Sequence, residues 1–175
     1  KEILAPYKIL LKRSLPKISV PKRCSDDGGL APRFKSWYEY EYGASQGAKT
    51  AAITRLKNND QHVVDKLVSI GVDVFPTYTD NSTHMKLIYP SDNFDDRSLI
   101  MPKSAGSFTS EQFMNINSTV FLVNASVRDE FKLATLYDLK KKGSLIGVDL
   151  QGFIRTRNTN NVLINSEWEE KKEVL

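Results

Sequence analysis

The apolar and polar positions along the chain divide it into buried strands and amphipathic helices. The segments "AKTAAITRL", "STVFLVNAS" and "SLIGVDLQG" each have a mostly apolar centre and predict buried strands. Between and beside them, "HVVDKLVSIG" and "RDEFKLATLYDLKKKG" have helical spacing, and the second has acids early, lysines late and a glycine at its end. Buried strands that alternate with amphipathic helices predict an α/β fold, with a parallel sheet covered by helices on both faces.

Three further segments are amphipathic rather than fully apolar, which predicts edge or projecting strands. In "VFPTYT", Pro76 argues for an edge position because proline lacks a backbone N–H. "HMKLIYP" and "RSLIMP" flank a polar loop and predict a hairpin. We expect a small β flap from residues 3–20 and 72–90, within one α/β domain that spans residues 1–175.

Composition and cysteine content restrict the class of protein. Of the 175 residues, 40% are hydrophobic and 26% are charged, as in ordinary globular proteins. No apolar run approaches the roughly 20 residues that a membrane-spanning helix needs. The single cysteine, Cys24, cannot form an internal disulfide, which suits a reducing compartment. We therefore expect a cytoplasmic protein without a membrane partner.

The net charge of +4 raises the alternative of a polyanionic partner, either nucleic acid or a phosphorylated small molecule. The densest basic run, Lys8 to Arg23, has an aromatic neighbour only at Tyr7. It thus lacks the interleaved aromatic residues of a platform for single-stranded nucleic acid, which disfavours that partner. If the chain did bind nucleic acid, its basic residues would form a contiguous face and its affinity would fall steeply with salt.

The sequence contains no strong standalone motif for catalysis or metal binding. His62 and His84 have no second histidine or cysteine at the spacing of metal ligands, so we assign no metal site. There is no P-loop, no G-x-G-x-x-G and no G-x-S-x-G.

Polar residues lie at the ends of all three predicted buried strands. They are Thr54, Arg55 and Asn58 to Asp60 for the first strand, Asn124 and Ser126 for the second, and Asp149, Gln151 and Arg155 for the third, where the cluster is sharpest. In an open parallel sheet, ligands bind at the carboxyl ends of the strands. A carboxylate, amides and a guanidinium placed there can hydrogen-bond hydroxyl groups and pair with phosphate. The alternative is that Asp149 caps a turn and Arg155 is solvated.

The turn "DDGG" is the other candidate site, because a helix is predicted to begin just after it at Leu30. Asp27, Gly28 and Gly29 belong to this turn. Glycine allows a ligand to approach the backbone closely, and the amides at a helix N-terminus favour anions or hydroxyl groups.

Several segments follow one another in an order that resembles the first part of the ribokinase-like family of carbohydrate kinases. They are the double glycine before a helix, "GAKTAAITRLKNND", "VVDKLVSIGVDV", "STHMKLIYP", "VFLVNAS" and "GSLIGVDLQGFIR". The resemblance implies a three-layer, Rossmann-like fold with a β flap, which in this family often mediates homodimers. It also implies phosphorylation of a sugar or nucleoside hydroxyl, with ATP and Mg²⁺ as cofactors.

The same resemblance implies roles for particular residues. The substrate would contact or lie near Asp27, Gly28, Gly29, Asn124, Ser126, Asp149, Gln151 and Arg155, the last three close to the transferred phosphate. The family's catalytic aspartate and much of its nucleotide site belong to a "G-A-G-D" turn, which this sequence lacks. We therefore expect the fold to be incomplete at its C-terminus, with the base beyond Leu175. The alternative is a degenerate, non-catalytic relative that binds a ligand or a partner.

Overall fold

The computed structural model describes residues 2–4, 9–13, 47–93 and 96–174. The strands are β1 (Glu2–Leu4), β2 (Ile9–Arg13), β3 (Lys49–Leu56), β4 (Asp73–Tyr78), β5 (His84–Ile88), β6 (Ser98–Lys103), β7 (Val120–Val123), β8 (Leu145–Val148), β9 (Arg155–Arg157) and β10 (Leu163–Asn165). The helices are α1 (Gln61–Ser69), α2 (Glu111–Met114), α3 (Leu133–Lys141), α4 (Leu150–Ile154) and α5 (Lys171–Val174). Single 3₁₀ turns lie at Asn58–Asp60 and Arg128–Glu130.

Five strands form a mixed sheet in the order β4-β3-β2-β7-β8. The pairs β3–β4 and β7–β8 are parallel, whereas β2 runs antiparallel to both of its neighbours. The predicted α/β fold is therefore present, but its sheet is mixed and not wholly parallel. The sequence analysis assigned residues 3–20 to the flap, so it predicted neither the place of β2 in this sheet nor its antiparallel direction. Pro76 lies in β4 at the end of the strand order, which confirms its predicted edge position.

Three other strands form a separate antiparallel sheet in the order β1-β5-β6. The hairpin predicted from "HMKLIYP" and "RSLIMP" is the pair β5–β6. We expected a flap from residues 3–20 and 72–90, and among the described residues of these ranges β1 and β5 belong to this sheet. Strands β2 and β4 belong instead to the five-stranded sheet.

The core lies on both faces of the five-stranded sheet. Ala52 and Ile53 are adjacent in β3 and fully buried, so their side chains point to opposite faces. Ala52 packs with Leu67 and Val72, in and just after α1. Ile53 belongs to a larger cluster that includes Phe108, Phe113, Phe121, Val123, Phe131, Leu136, Leu139, Phe153 and Trp168. Helix α1 therefore covers one face, and α2 and α3 cover the other.

The chain beyond β8 returns to the three-stranded sheet. After α4, strands β9 and β10 form an antiparallel hairpin. Val162 forms a bridge with Ile100 of β6, and the Met101 amide donates a hydrogen bond to the Asn161 carbonyl at 2.8 Å. The hairpin therefore connects the carboxyl end of β8 to the edge of the smaller sheet.

Several sequence predictions fall outside the described residues. These are the helix from Leu30, the thiol of Cys24 and the turn that contains Asp27, Gly28 and Gly29. Among the described helices, none is both long enough and apolar enough to cross a membrane.

Candidate functional site

The carboxyl ends of the four parallel strands define one edge of the five-stranded sheet, which we call the strand-end edge. It consists of the residues that directly follow β3, β4, β7 and β8. The three-stranded sheet is attached at the same edge, because β5 follows β4 through residues 79–83 and α2 follows β6. Ligands of open α/β sheets bind at this kind of edge.

Asn124 and Asp149 lie side by side at the strand-end edge. The register pairs Val123 with Val148, the last residues of β7 and β8, so the next residues are also neighbours. The Asp149 amide donates to the Val123 carbonyl at 2.8 Å, which continues the ladder by one residue. Both side chains are partly exposed. The structure thus brings together two of the residues that the sequence singled out.

Asp149 also caps the helix that follows. Its Oδ1 accepts a hydrogen bond from the Gln151 amide at 3.1 Å, as an N-cap residue does. The Gln151 side chain is exposed on α4. The capping role that we gave as an alternative is therefore real, and it explains why the strand turns polar so abruptly.

Gly152 is required where α4 contacts the chain after β7. A Cβ atom at Gly152 would lie 2.1 Å from the Ala125 carbonyl oxygen and 2.6 Å from its carbon. Backbone atoms this close leave no room for a side chain. The segment "DLQGF" therefore has a structural reason for its acid and for its glycine.

Arg155 is half-buried near charges of both signs. Desolvation lowers the pKa of its guanidinium, the nearby Asp149 carboxylate acts in the opposite direction, and Arg97 lowers the pKa further. Arg97 directly precedes β6 and was not singled out by the sequence. The charge of Arg155 is therefore influenced by one carboxylate, that of Asp149, and by a second guanidinium, that of Arg97.

The backbone amide of Ser126 donates a hydrogen bond to a buried carboxylate. Its amide donates to Oε2 of Glu130 at 2.8 Å, and Glu130 is only 1% exposed. The sequence placed Glu130 among the early acids of a helix, but α3 begins three residues later, at Leu133. No pattern in a single sequence distinguishes an acid that faces solvent in the first turn of a helix from one that folds back into a loop.

Arg55, near the end of β3, connects this strand to the segment after β6 and to α2. Its Nε donates to the Ala105 carbonyl at 2.9 Å, and its Nη1 donates to Oε1 of Gln112 at 3.2 Å. Gln112 in turn donates to Oγ1 of Thr77 at 2.6 Å. Partial burial lowers the pKa of Arg55.

The described residues show no site for the cofactors that the resemblance implies. In ranges 47–93 and 96–174, no three histidine, cysteine or acidic side chains lie together as metal ligands would. These residues therefore contain no preformed group of three ligands for Mg²⁺.

Comparison with known proteins gives matches only among solved structures. No protein-family model matches the sequence, and the search of curated proteins finds no match. A sulfate complex of a pyrophosphate-dependent kinase in the ribokinase family is 26% identical, with a TM-score of 0.70 over 77% of this chain and 48% of that chain. A pyrophosphate-dependent ribokinase-family kinase in complex with a pyrophosphate analog and myo-inositol is 24% identical, with a TM-score of 0.69 over 77% and 46%.

A third match is a pyrophosphate-dependent myo-inositol-1 kinase that was converted into a myo-inositol-3 kinase. It is 23% identical, with a TM-score of 0.67 over 77% of this chain and 45% of that chain. The chain spans about half the length of each of these structures. The resemblance in the sequence is thereby confirmed: over most of its length, the chain has the fold of about half of a ribokinase-family kinase.

Proposed function

We propose that this chain forms the substrate-binding part of a kinase that transfers a phosphoryl group from pyrophosphate to a hydroxyl group of a small polyol. The observation that carries the proposal is the placement of Asn124 and Asp149 side by side at the strand-end edge, with Arg155 close enough to interact with Asp149. The structural matches support it, because they are pyrophosphate-dependent kinases and one is bound to myo-inositol.

The three residues have complementary chemical roles in this proposal. The Asp149 carboxylate accepts hydrogen bonds from hydroxyl groups, and the Asn124 amide both donates and accepts them. Together they would fix neighbouring hydroxyl groups of a ring. Arg155 stays protonated at neutral pH even with a lowered pKa, because a guanidinium loses its proton only at very high pH. Its charge would stabilise the oxygens of the transferred phosphoryl group.

The transfer itself requires groups that we do not assign in these residues. The acceptor oxygen forms a bond to phosphorus as the bond to the leaving phosphate breaks, and the hydroxyl proton passes to a base. In the family that the sequence resembles, that base belongs to the "G-A-G-D" turn, which the 175 residues lack. We therefore propose that the chain positions the acceptor and part of the charge, which supply most of the catalysis in phosphoryl transfer.

The structural matches change two of the expectations from the sequence. ATP was the implied donor, but the matched kinases are described as pyrophosphate-dependent, so pyrophosphate is the donor that we propose. The substrate expected from the sequence was a sugar or nucleoside, and the substrate that we now propose is a cyclic polyol or sugar.

Calorimetric titration with myo-inositol, D-ribose and adenosine tests the binding step. We expect the polyol to bind and the Asp149→Asn variant to bind about tenfold more weakly, because a hydrogen bond to a charged group becomes a neutral one. Asp73→Asn is the matched control, since Asp73 is an exposed aspartate at the amino end of β4. The proposal is wrong if none of the three ligands binds, or if the two variants lose affinity equally.

A turnover assay separates the kinase proposal from the alternative of a non-catalytic binding module. The 175-residue chain should bind the polyol without phosphorylating it, from pyrophosphate or from ATP. A protein in which the same residues are followed by a "G-A-G-D" segment should transfer the phosphoryl group. If such a protein binds the polyol but never phosphorylates it, the chain is a binding module.

A further inference from the structure

Two short segments join the three-stranded sheet to the strand-end edge, and we call them the hinge. Residues 79–83 lead from β4 into β5, and residues 104–108 lead from β6 toward α2. Connecting segments usually run over the surface. Here Ser82 and Thr83 are each 1% exposed, and Ala105 is also buried. A buried connection needs hydrogen-bond partners for its polar groups.

The Thr83 hydroxyl joins the two segments of the hinge. Its Oγ1 accepts a hydrogen bond from the Ala105 amide at 3.1 Å and donates one to Oε1 of Glu130, also at 3.1 Å. The Thr83 side chain therefore connects residues 79–83 to residues 104–108, and it connects both segments to the 3₁₀ turn that follows β7.

Glu130, the acceptor of the Thr83 hydroxyl, is itself held by further hydrogen bonds. Its Oε2 accepts from the Ser126 amide at 2.8 Å and from the Val127 amide at 3.4 Å. Its own carbonyl accepts from the amide of Phe108, at the end of the hinge, at 2.8 Å. The side chain and the main chain of one residue therefore contact both hinge segments and the loop after β7.

The other side of the hinge is held by the end of β3. The Ser82 hydroxyl accepts from the Lys57 amide at 2.8 Å and donates to the Asp60 carboxylate. The Arg55 guanidinium donates to the carbonyl of Ala105 at 2.9 Å. Adjacent residues of the hinge, Ser82 and Thr83, are thus hydrogen-bonded to the chain after β3 and to the chain after β7, respectively.

We propose that Glu130 is a positioning residue, which fixes through Thr83 the orientation of the three-stranded sheet relative to Asn124 and Asp149. With 1% exposure, Glu130 acts through Thr83 and not by touching a ligand. The effect on the sheet itself needs no ligand, whereas the effect on substrate affinity rests on the proposed function.

Hydrogen exchange of the full chain tests the effect on the sheet. Thr83→Val keeps the shape of the side chain and removes its hydroxyl, whereas Thr83→Ser keeps the hydroxyl. We expect Thr83→Val to speed exchange of the β5 and β6 amides about tenfold, with β7 and β8 unchanged and Thr83→Ser close to the parent. Equal acceleration in β7 and β8, or no acceleration at all, would overturn the proposal.

A second variant covers the case in which Thr83→Val does not fold. Glu130→Gln keeps the volume and leaves one oxygen for the Ser126 and Val127 amides, but it places an NH₂ group opposite the Thr83 hydroxyl. We expect it to speed exchange in β5 and β6 as Thr83→Val does, and the double variant to be no faster than either single variant. Additive effects would overturn the proposal, because they would mean that the two residues act independently.

Titration of the same variants with myo-inositol tests the effect on substrate binding. Thr83→Val should bind about tenfold more weakly and Thr83→Ser should bind as the parent does, because no ligand-contacting residue has changed. If Thr83→Val binds as tightly as the parent, Glu130 holds the sheet but does not position the substrate site. If the parent itself does not bind, the proposed function fails, while the exchange result still decides the role of the hinge.

Discussion

The loops that follow β7 and β8 both contain a carboxylate, and the two carboxylates have different environments. After β7, Glu130 is almost completely buried and accepts hydrogen bonds from the Thr83 hydroxyl and from two backbone amides. After β8, Asp149 stays partly exposed beside Asn124 and accepts from the amide of Gln151.

The difference lies in how many donors the local backbone supplies. A buried carboxylate loses its hydrogen bonds to water. It is therefore tolerated only where several protein donors replace them. The 3₁₀ turn at Arg128–Glu130 brings the amides of Ser126 and Val127 to one side chain. The chain after Asp149 enters a helix directly and leaves its side chain at the surface. The first carboxylate is therefore enclosed by protein donors, whereas the second caps a helix and stays partly exposed.

The largest effect on stability is expected at Gly152, where α4 contacts the loop after β7. Gly152→Ala would place a Cβ atom 2.1 Å from the Ala125 carbonyl oxygen, which is a backbone atom and cannot move aside. We expect a loss of more than about 3 kcal/mol in the free energy of unfolding, or no folded protein. Urea denaturation followed by circular dichroism measures this loss.

Gly147→Ala is the matched control for that substitution. Its Cβ would lie 3.0 Å from Cδ1 of Leu122, the end of a flexible side chain that can rotate away. We expect a loss below about 1 kcal/mol. Similar losses for the two variants would show that α4 does not press on the loop after β7.

The next largest effect is a difference in the stability of two variants, Glu130→Ala and Asp149→Ala. Glu130→Ala leaves the Thr83 hydroxyl and two amides without their acceptor, so we expect a loss of about 3 kcal/mol. Asp149→Ala removes a helix cap, for which about 1 kcal/mol is typical. The same denaturation curves measure both values. If Asp149→Ala costs as much as Glu130→Ala, the contrast between a buried and a partly exposed carboxylate is wrong.

The sequence predicted the parts of this contrast that depend on local pattern. It gave the positions of β3, β7 and β8, the edge position of Pro76, and the polar residues at the carboxyl ends of the strands. The expected burial holds for β3 but was wrong for β8, where Leu145 is 68% exposed and the other three residues are partly exposed, because β8 lies at the end of the described strand order. Asn124 and Asp149 were expected at one edge because the ends of parallel strands coincide, and the register places them together.

The parts that depend on partners distant in sequence were not predicted. Thr83 and Glu130 are separated by 47 residues, and no periodicity marks a hydroxyl and an acid that meet in the interior. The antiparallel direction of β2 also leaves no trace in an apolar run. In both cases the missing information is a tertiary contact, which a local pattern does not contain.

Arg128 allows a test of how the loop after β7 is held to the chain after β8. Its Nε donates to the Phe153 carbonyl at 2.7 Å, and its Nη2 donates to the Glu167 carbonyl at 2.7 Å. Arg128→Ala should cost about 2 kcal/mol in the free energy of unfolding, because the partly buried Phe153 carbonyl and the Glu167 carbonyl both lose a charged donor.

Arg128→Lys is the informative companion of that variant. A single ammonium group cannot reach the Phe153 and Glu167 carbonyls as a planar guanidinium does, so lysine should recover less than half of the lost stability. Full recovery by lysine would mean that the charge matters and the fork geometry does not.

The smallest expected effect concerns Asp138, an exposed carboxylate in α3. Its pKa lies below the ordinary value, chiefly because the Ser110 hydroxyl donates to it at 2.6 Å and secondarily because Lys141 donates at 2.9 Å. A carboxyl group with a lowered pKa stabilises the fold above its unfolded-state pKa, and this contribution disappears as pH falls through the folded-state pKa.

Ser110→Ala should raise the pKa of Asp138 toward its ordinary value, and Lys141→Gln should raise it less. A carbon-detected NMR titration of the Asp138 carboxyl group measures both shifts, and neither variant should change stability detectably at neutral pH. A larger shift in Lys141→Gln would mean that charge, and not the local hydroxyl donor, sets the pKa. It would also weaken the argument that local donors decide how each carboxylate of this region is used, which is the basis for separating Glu130 from Asp149.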